Sequence, residues 1–588
     1  MIRDTIQEVT QQAALAAQKK GTIPSIELPD FEVGRPQYSA HGDYYANLAM
    51  KLASEVKRLS GDKANPRQLG EAIAAEARIL AADNPAFSMI EKVEVAGAGF
   101  INYRFNPAWL LQQADRALTE GDAFGNIQVG KGKRVNLEFV SANPTGRVHV
   151  GNGRGAFIGD TLGNVMQAAG FDVTKEYYFN DYGQQIFNLG RSIEYFLRYE
   201  TGAERIEKVE NGYYDDDHAA LAKQFVPNTA RYLALPQAER DATIGAEAAR
   251  VIMDGIKRTM QSLKIEFDVW FSQHSLETSG ALQASIELLR QKGYLYEQDG
   301  ATWMRTTDFG DDKDRVLIKS TGEPTYIAPD IAYIKNKFER GFSRLIWVLG
   351  VDHHAYVIRL KAAAGMLGHN PDHATVILYG NVTVKGQRIG KRLGNAIPLD
   401  ELVEEIGKDV TRYFFLMRSN DQPMDFDMDL AREQSEKNPG FYVQYAHARI
   451  SSILRKAKER RILTEPDYAG ADMRPLANDP EQQLAVELAL MREILSLEEV
   501  IERIALSLEP HHLTKYASDL ATAFHAFYHE CRVLQAETDE KRLARLKLSH
   551  AARIALARAL HLMGMEAPER MTRESEAEEE STQANQEV

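Results

Sequence analysis

The stretch RVNLEFV (134–140) is a compact apolar run of strand length, followed at once by a glycine-rich segment and a helical pattern. Three further short apolar runs, FDVTKEYYF (171–179), RLIWVLG (344–350) and HATVILYG (373–380), are separated by helical stretches. Strands that alternate with helices specify a parallel sheet flanked by helices. This α/β region is expected to span 130–400, with the charge-rich stretch 195–260 as a helical insertion.

The flanking segments have a different texture. Apolar residues at helical spacing (Ile2, Ile6, Val9, Ala13, Leu15) predict an amphipathic helix over 1–20, and Tyr45–Leu59 predicts a second. VEVAGAGFINYRF (93–105) reads as two strands around Gly97 and Gly99, giving a small α+β domain over 1–115. A connecting segment covers 401–434. From 435 to 571 apolar residues recur at three and four, the mark of a helical bundle. The remainder, 572–588, is acidic and aperiodic and is expected to be disordered.

Composition narrows the functional classes. A single cysteine, Cys531, excludes a disulfide framework and a cysteine-based zinc site. Neither a membrane-length apolar run nor a signal-peptide pattern is present, so a cytoplasmic protein is expected. The net charge of −14 argues against a polyanionic partner. Yet the terminal stretch 572–588 holds six Glu against one Arg, so −5 of that total lies there. A whole-chain sum says little about one face.

Most chemical information lies in VNLEFVSANPTGRVHVGNGRGAFIGD (135–160). A helix start near Asn152, behind Gly151, Gly153 and Gly155, would offer free N–H groups and a positive dipole end to phosphate, with His149 against the same group. Gly151-x-Gly153-x-x-Ala156, with Glu176 further on, also satisfies the loose dinucleotide fingerprint. That fingerprint follows its strand within a tight turn, whereas here Pro144 and His149 lie between strand and first glycine. A plain glycine-rich turn is the third reading.

Pro144-Thr-Gly146-x-x-His149-x-Gly151-Asn152 resembles the HIGH motif of class I aminoacyl-tRNA synthetases, with Asn in place of the last His. The flanking EFVSANPTG narrows the resemblance to bacterial-type arginyl-tRNA synthetases. VKGQRIGKRLGN (384–395) resembles that family's KMSKR-type loop: Arg388 replaces the first Lys, Gly390 the Ser, and Lys391 and Arg392 agree. Asn152 still donates a hydrogen bond but cannot become cationic, and Arg388 is not interchangeable with a flexible Lys. A non-catalytic tRNA-binding relative would be expected to lose His149, Lys391 and the pocket carboxylates together, and all are present.

The resemblance implies a Rossmann-like catalytic domain of the class I (HUP) type, a small N-terminal α+β domain leaning on the tRNA elbow, and an all-α anticodon-binding C-terminal domain. It implies an arginine–tRNA ligase using ATP with Mg²⁺, with tRNA(Arg) and L-arginine as partners, acting as a monomer. His149, Asn152, Lys391 and Arg388 take the catalytic positions. Gly151, Gly153, His149, His353, Lys391 and Arg392 take the ATP positions. Glu138, Ser141, Asn143, His149, Tyr326, Asp330 and Asp352 take those for arginine. Tyr442, Tyr445 and Arg449 share one helical face and match the anticodon-reading surface. Asp352-His353-His354 could suggest a metal, but no further ligand stands at suitable spacing, and no protein-bound zinc is expected.

Overall fold

A computed structural model describes residues 1–384, 387–388, 397–459 and 465–571. The chain divides into two compact units, each assembled from separate stretches: 1–121, 452–498 and 522–554 in the first, and 122–451, 499–521 and 555 onward in the second.

In the first unit the helix Ile2–Lys19 and the hairpin Ile90–Ala96/Phe100–Phe105 follow the sequence pattern. The hairpin turn uses Gly97 and Gly99, both at positive φ (56° and 119°), a conformation that favours glycine. Strands Val33–Gly34 and Tyr44–Ala46 complete a four-stranded sheet. Tyr45 is therefore strand, and the second helix begins three residues later, at Leu48. Asp43 accepts from the Phe105 amide (2.7 Å) and from Arg492 Nε (2.5 Å). The His41-Gly42-Asp43 segment is thus a structural tie.

The second unit is built on five parallel strands. Their order is Ala374–Tyr379, Arg344–Gly350, Arg134–Phe139, Asp172–Phe179 and Val269–Ser272. The helix Val150–Ala168 lies directly on this sheet. A Cβ at Gly159 would stand 2.2 Å from the Phe139 ring, and one at Gly163 2.5 Å from the Lys175 chain. Glycines in this helix let it approach the sheet closely. The insertion has a core of its own, with Leu189, Ile193, Leu197 and Ile244 fully buried. Its long helices Gln184–Thr201 and Gln237–Ser262 cross where Gly190 meets Asp241 and Gly245 meets Ile186, backbone against backbone.

A buried triad fastens the sheet helix to later parts of the unit. Asp160 receives Lys175 Nζ and Arg412 Nη1, each at 2.7 Å, and Arg412 also donates to the carbonyls of Met563 and Leu263. Although burial opposes it, the two cations hold the Asp160 carboxyl below its ordinary range. No helix among the described residues is long and apolar enough to cross a membrane.

Candidate active site

The strand Arg134–Phe139 ends in a sharp reversal. Val140 (φ 66°) and Ser141 (φ 40°) both adopt the left-handed region, where a β-branched residue is an outlier. Such conformations persist where surrounding contacts over-determine them, and they cluster at functional sites. Here the contacts are evident. Ser141 Oγ donates to Glu138 (3.0 Å) and accepts the Tyr178 amide (3.1 Å). The Ala142 backbone is bonded on both sides by the Tyr177 hydroxyl. Asn143 donates to Gln185 (2.8 Å) and accepts the Asn180 amide.

His149 is the N-cap of the helix Val150–Ala168, which begins two residues earlier than the sequence suggests. Its imidazole folds over the first turn: a Cβ at Gly151 would lie 3.0 Å from the ring. The Val150 amide is taken by Ile397 O, and those of Asn152 and Gly153 by His149 O. Among the described residues the Gly151 amide has no partner, so an open donor of this helix end lies beside the imidazole. Gly153 and Gly155 are instead explained by packing, against Leu399 and Tyr379. Gly390, Lys391 and Arg392 lie outside the described residues. Arg388 falls in the short strand Gln387–Arg388. The segment that follows that loop returns to His149, where His149 pairs with Pro398 and Leu399 N donates to Val148 O (2.9 Å).

Near the strand ends lies a buried network of interleaved charges. Glu138 is engaged on both oxygens, by Ser141 and by the fully buried Lys337 (2.6 Å). Lys337 Nζ also sits over the rings of Tyr333 (4.2 Å) and Trp347 (4.5 Å). Glu176 accepts from Tyr333 Oη and Arg340 Nη2; burial opposes its charge, but the nearby Lys337 charge and these two hydrogen bonds keep its carboxyl low. Asp330 differs. Its Oδ2 is closed off from solvent and has no hydrogen-bond partner among the described residues. Burial, reinforced by the negative charge of Glu138, pushes its pKa up to about 7. Tyr326, the N-cap of the helix Ile327–Glu339, is exposed and accepts from Arg359 (3.1 Å). Asp352 and His353 form an exposed single turn after the strand Arg344–Gly350.

Several of these groups escape the sequence reading: Lys337, Tyr333, Arg340, Tyr178 and Arg359. Asp330, Tyr333, Lys337 and the C-cap Arg340 fall at spacings of three, four and three along one face of the helix, and that stripe was the available signal. In the C-terminal region Tyr442 and Arg449 are half-buried in the helix Pro439–Glu459, while Tyr445 is 7% exposed and stacks on Phe441.

Three family profiles cover the chain. The arginyl-tRNA synthetase N-terminal domain matches residues 1–105, the class I (R) tRNA synthetase catalytic domain 113–425, and the DALR anticodon-binding domain 443–571. The chain belongs to the class I arginyl-tRNA synthetases. The arginine–tRNA ligase of Geobacillus thermodenitrificans is 43% identical over 96% of this chain and 99% of its own length. That of Moorella thermoacetica is 44% identical over 95% and 97%. In fold, this synthetase is similar to the arginyl-tRNA synthetases of Thermus thermophilus (TM-score 0.70, 23% identity) and Plasmodium falciparum (TM-score 0.72, 19% identity). Each comparison covers 97% of this chain, with 100% of the Thermus chain and 99% of the Plasmodium chain. A parallel sheet carrying the site at the carboxyl ends of its strands agrees with that membership.

Proposed function

We propose that this synthetase activates L-arginine with ATP, forming arginyl-adenylate and diphosphate, and transfers the arginine to the 3′-terminal adenosine of tRNA(Arg), releasing AMP. The observation that carries the choice of amino acid is Asp330: a buried carboxylate oxygen that the fold leaves unpaired suits a guanidinium. A shorter or uncharged side chain would forgo that charge-assisted bond and bind correspondingly more weakly.

Activation is an attack of the arginine carboxylate on the α-phosphate, so positioning and charge stabilisation are what the protein supplies. His149, Asn152 and the Gly151 amide receive phosphate oxygens, with Gly153 shaping the same turn and His353 on the ATP side. Lys391, Arg388 and Arg392 neutralise the departing diphosphate, and Mg²⁺ arrives bound to ATP. Ser141, Asn143, Tyr326 and Asp352 surround the arginine, and Glu138 acts through its charge, its oxygens being held by Lys337 and Ser141. Tyr442 and Arg449 meet the anticodon loop, with Tyr445 as the buried ring beneath them. A monomeric, cytoplasmic enzyme completes this reading.

The test is arginine-dependent ATP–diphosphate exchange, with and without tRNA(Arg). Exchange with arginine and with no other amino acid is expected, and folded protein silent under both conditions would refute it. Lys391→Ala should slow activation while leaving tRNA affinity nearly unchanged.

A further inference from the structure

The segment Thr145–Val150, which carries His149, is held from two sides by groups outside the proposed chemistry. On the insertion side, His218 of the helix Asp216–Lys223 is 4% exposed. Its Nε2 donates to Thr145 O (3.1 Å), and its Nδ1 lies 2.5 Å from the Asp215 carboxylate. Asp217, on the same helix, stands 3.7 Å from Arg147. Arg147 also donates to Asp400 and Glu401, each at 2.7 Å, both in the helix Leu399–Ile406. Two backbone bonds run beside these pairs, Val150 N to Ile397 O and Leu399 N to Val148 O.

A cavity of about 510 Å³ opens beside Gly146, Arg147 and Val148, floored by Leu221, Val251 and Ile256 of the insertion. Packing beside Gly146 and Arg147 is thus incomplete, although Val148 and Val150 are buried, so polar ties add to what fixes where the segment lies. Ion pairs as exposed as those of Arg147 add little to global stability, so their effect falls on local geometry.

We propose that Arg147 and His218 are positioning residues for His149, and that through them the helical insertion sets the rate of arginine activation. This rests on the role given to His149 above. Arg147 joins the HIGH segment to the helix that follows the second loop, and His218 joins it to the insertion. Loosening either lets His149 drift from the phosphate, and a drift of about 1 Å can cost about 10²-fold in rate.

The experiment is diphosphate exchange on the full-length synthetase with Arg147→Ala, Arg147→Lys, His218→Ala and His149→Ala, alongside thermal unfolding. Arg147→Ala and His218→Ala are expected to lower kcat about tenfold with KM for arginine and ATP within about twofold. Tm is unchanged in Arg147→Ala and falls by a few degrees in His218→Ala, where Thr145 O loses its buried donor. Arg147→Lys, which keeps the charge, is expected to recover to within about threefold of the parent. Unchanged kcat in Arg147→Ala and His218→Ala overturns the inference, as does a fall in Tm in Arg147→Ala that accounts for its loss of kcat, or a loss that Arg147→Lys fails to recover. If His149→Ala itself turns over normally, the role of His149 fails and the inference with it. If His149→Ala is inactive while Arg147→Ala and His218→Ala are not, only the inference fails.

Discussion

Two carboxylates of the same unit, Asp160 and Asp330, have opposite fates. Asp160 is closed by Lys175 and Arg412 at 2.7 Å each, and its pKa is held low. Asp330 has a buried oxygen with no partner among the described residues, and its pKa stands near 7. The first charge is balanced by direct partners in the fold; the second feels Lys337 and Arg359 without a hydrogen bond to Oδ2, and on the reading proposed above it is left for the guanidinium. On that reading architecture and recognition use the same residue type, and only the surroundings tell them apart.

That contrast can be broken by experiment. The largest effect is expected from Asp160→Asn, which leaves Lys175 and Arg412 buried without their anion and should destabilise the protein by about 3–5 kcal/mol. Denaturant unfolding checks it, and a loss confined to catalysis would erase the distinction. Because the Asp160 pKa is depressed, its stabilisation is present above the ordinary value of 3.8 and is lost as pH falls below that.

Asp330→Asn should raise the KM for arginine about 10²-fold without lowering Tm at pH 8. The sign follows from its raised pKa. The contribution of Asp330 to stability is present below 3.8 and is lost as pH rises through about 7. Removing the charge therefore costs no stability at pH 8. Arginine binding needs the ionised form, so the KM for arginine should fall as pH rises from 6 to 8. A flat profile in the parent, or an equal slope in Asp330→Asn, would contradict the assignment. The smallest change is expected from Tyr326→Phe, which removes an exposed hydroxyl bonded to Arg359 and should raise the KM for arginine by about twofold to tenfold.

What the sequence disclosed follows the same division. Local signals were readable: the strand runs, the His149 segment and the hairpin around Gly97 and Gly99; Asp330 stands out only through the family resemblance. What stayed hidden depends on distant chain. Lys337 reads as a surface lysine until Glu138 arrives from a strand 199 residues earlier. The left-handed Val140 runs against its local preference, and only the contacts of Ser141 and Ala142 account for it. The glycines after His149 looked like an opening for ligand, whereas at 153 and 155 protein side chains fill the space. The antiparallel sheet formed by Leu295–Gln298, Ala301–Met304 and Arg315–Ile318 carries charge among its strands and gave no clear alternation.

The Asp43–Arg492 pair has a consequence for synthesis in the cell. Its partners are 449 positions apart, both within the first compact unit. A ribosome adding about 5–20 residues per second reaches Arg492 roughly 20–90 seconds after Asp43. For that interval the amino-terminal segment has left the ribosome while one of its buried carboxylates still waits for its cation. The earliest-made part of this enzyme is therefore among the last to be finished.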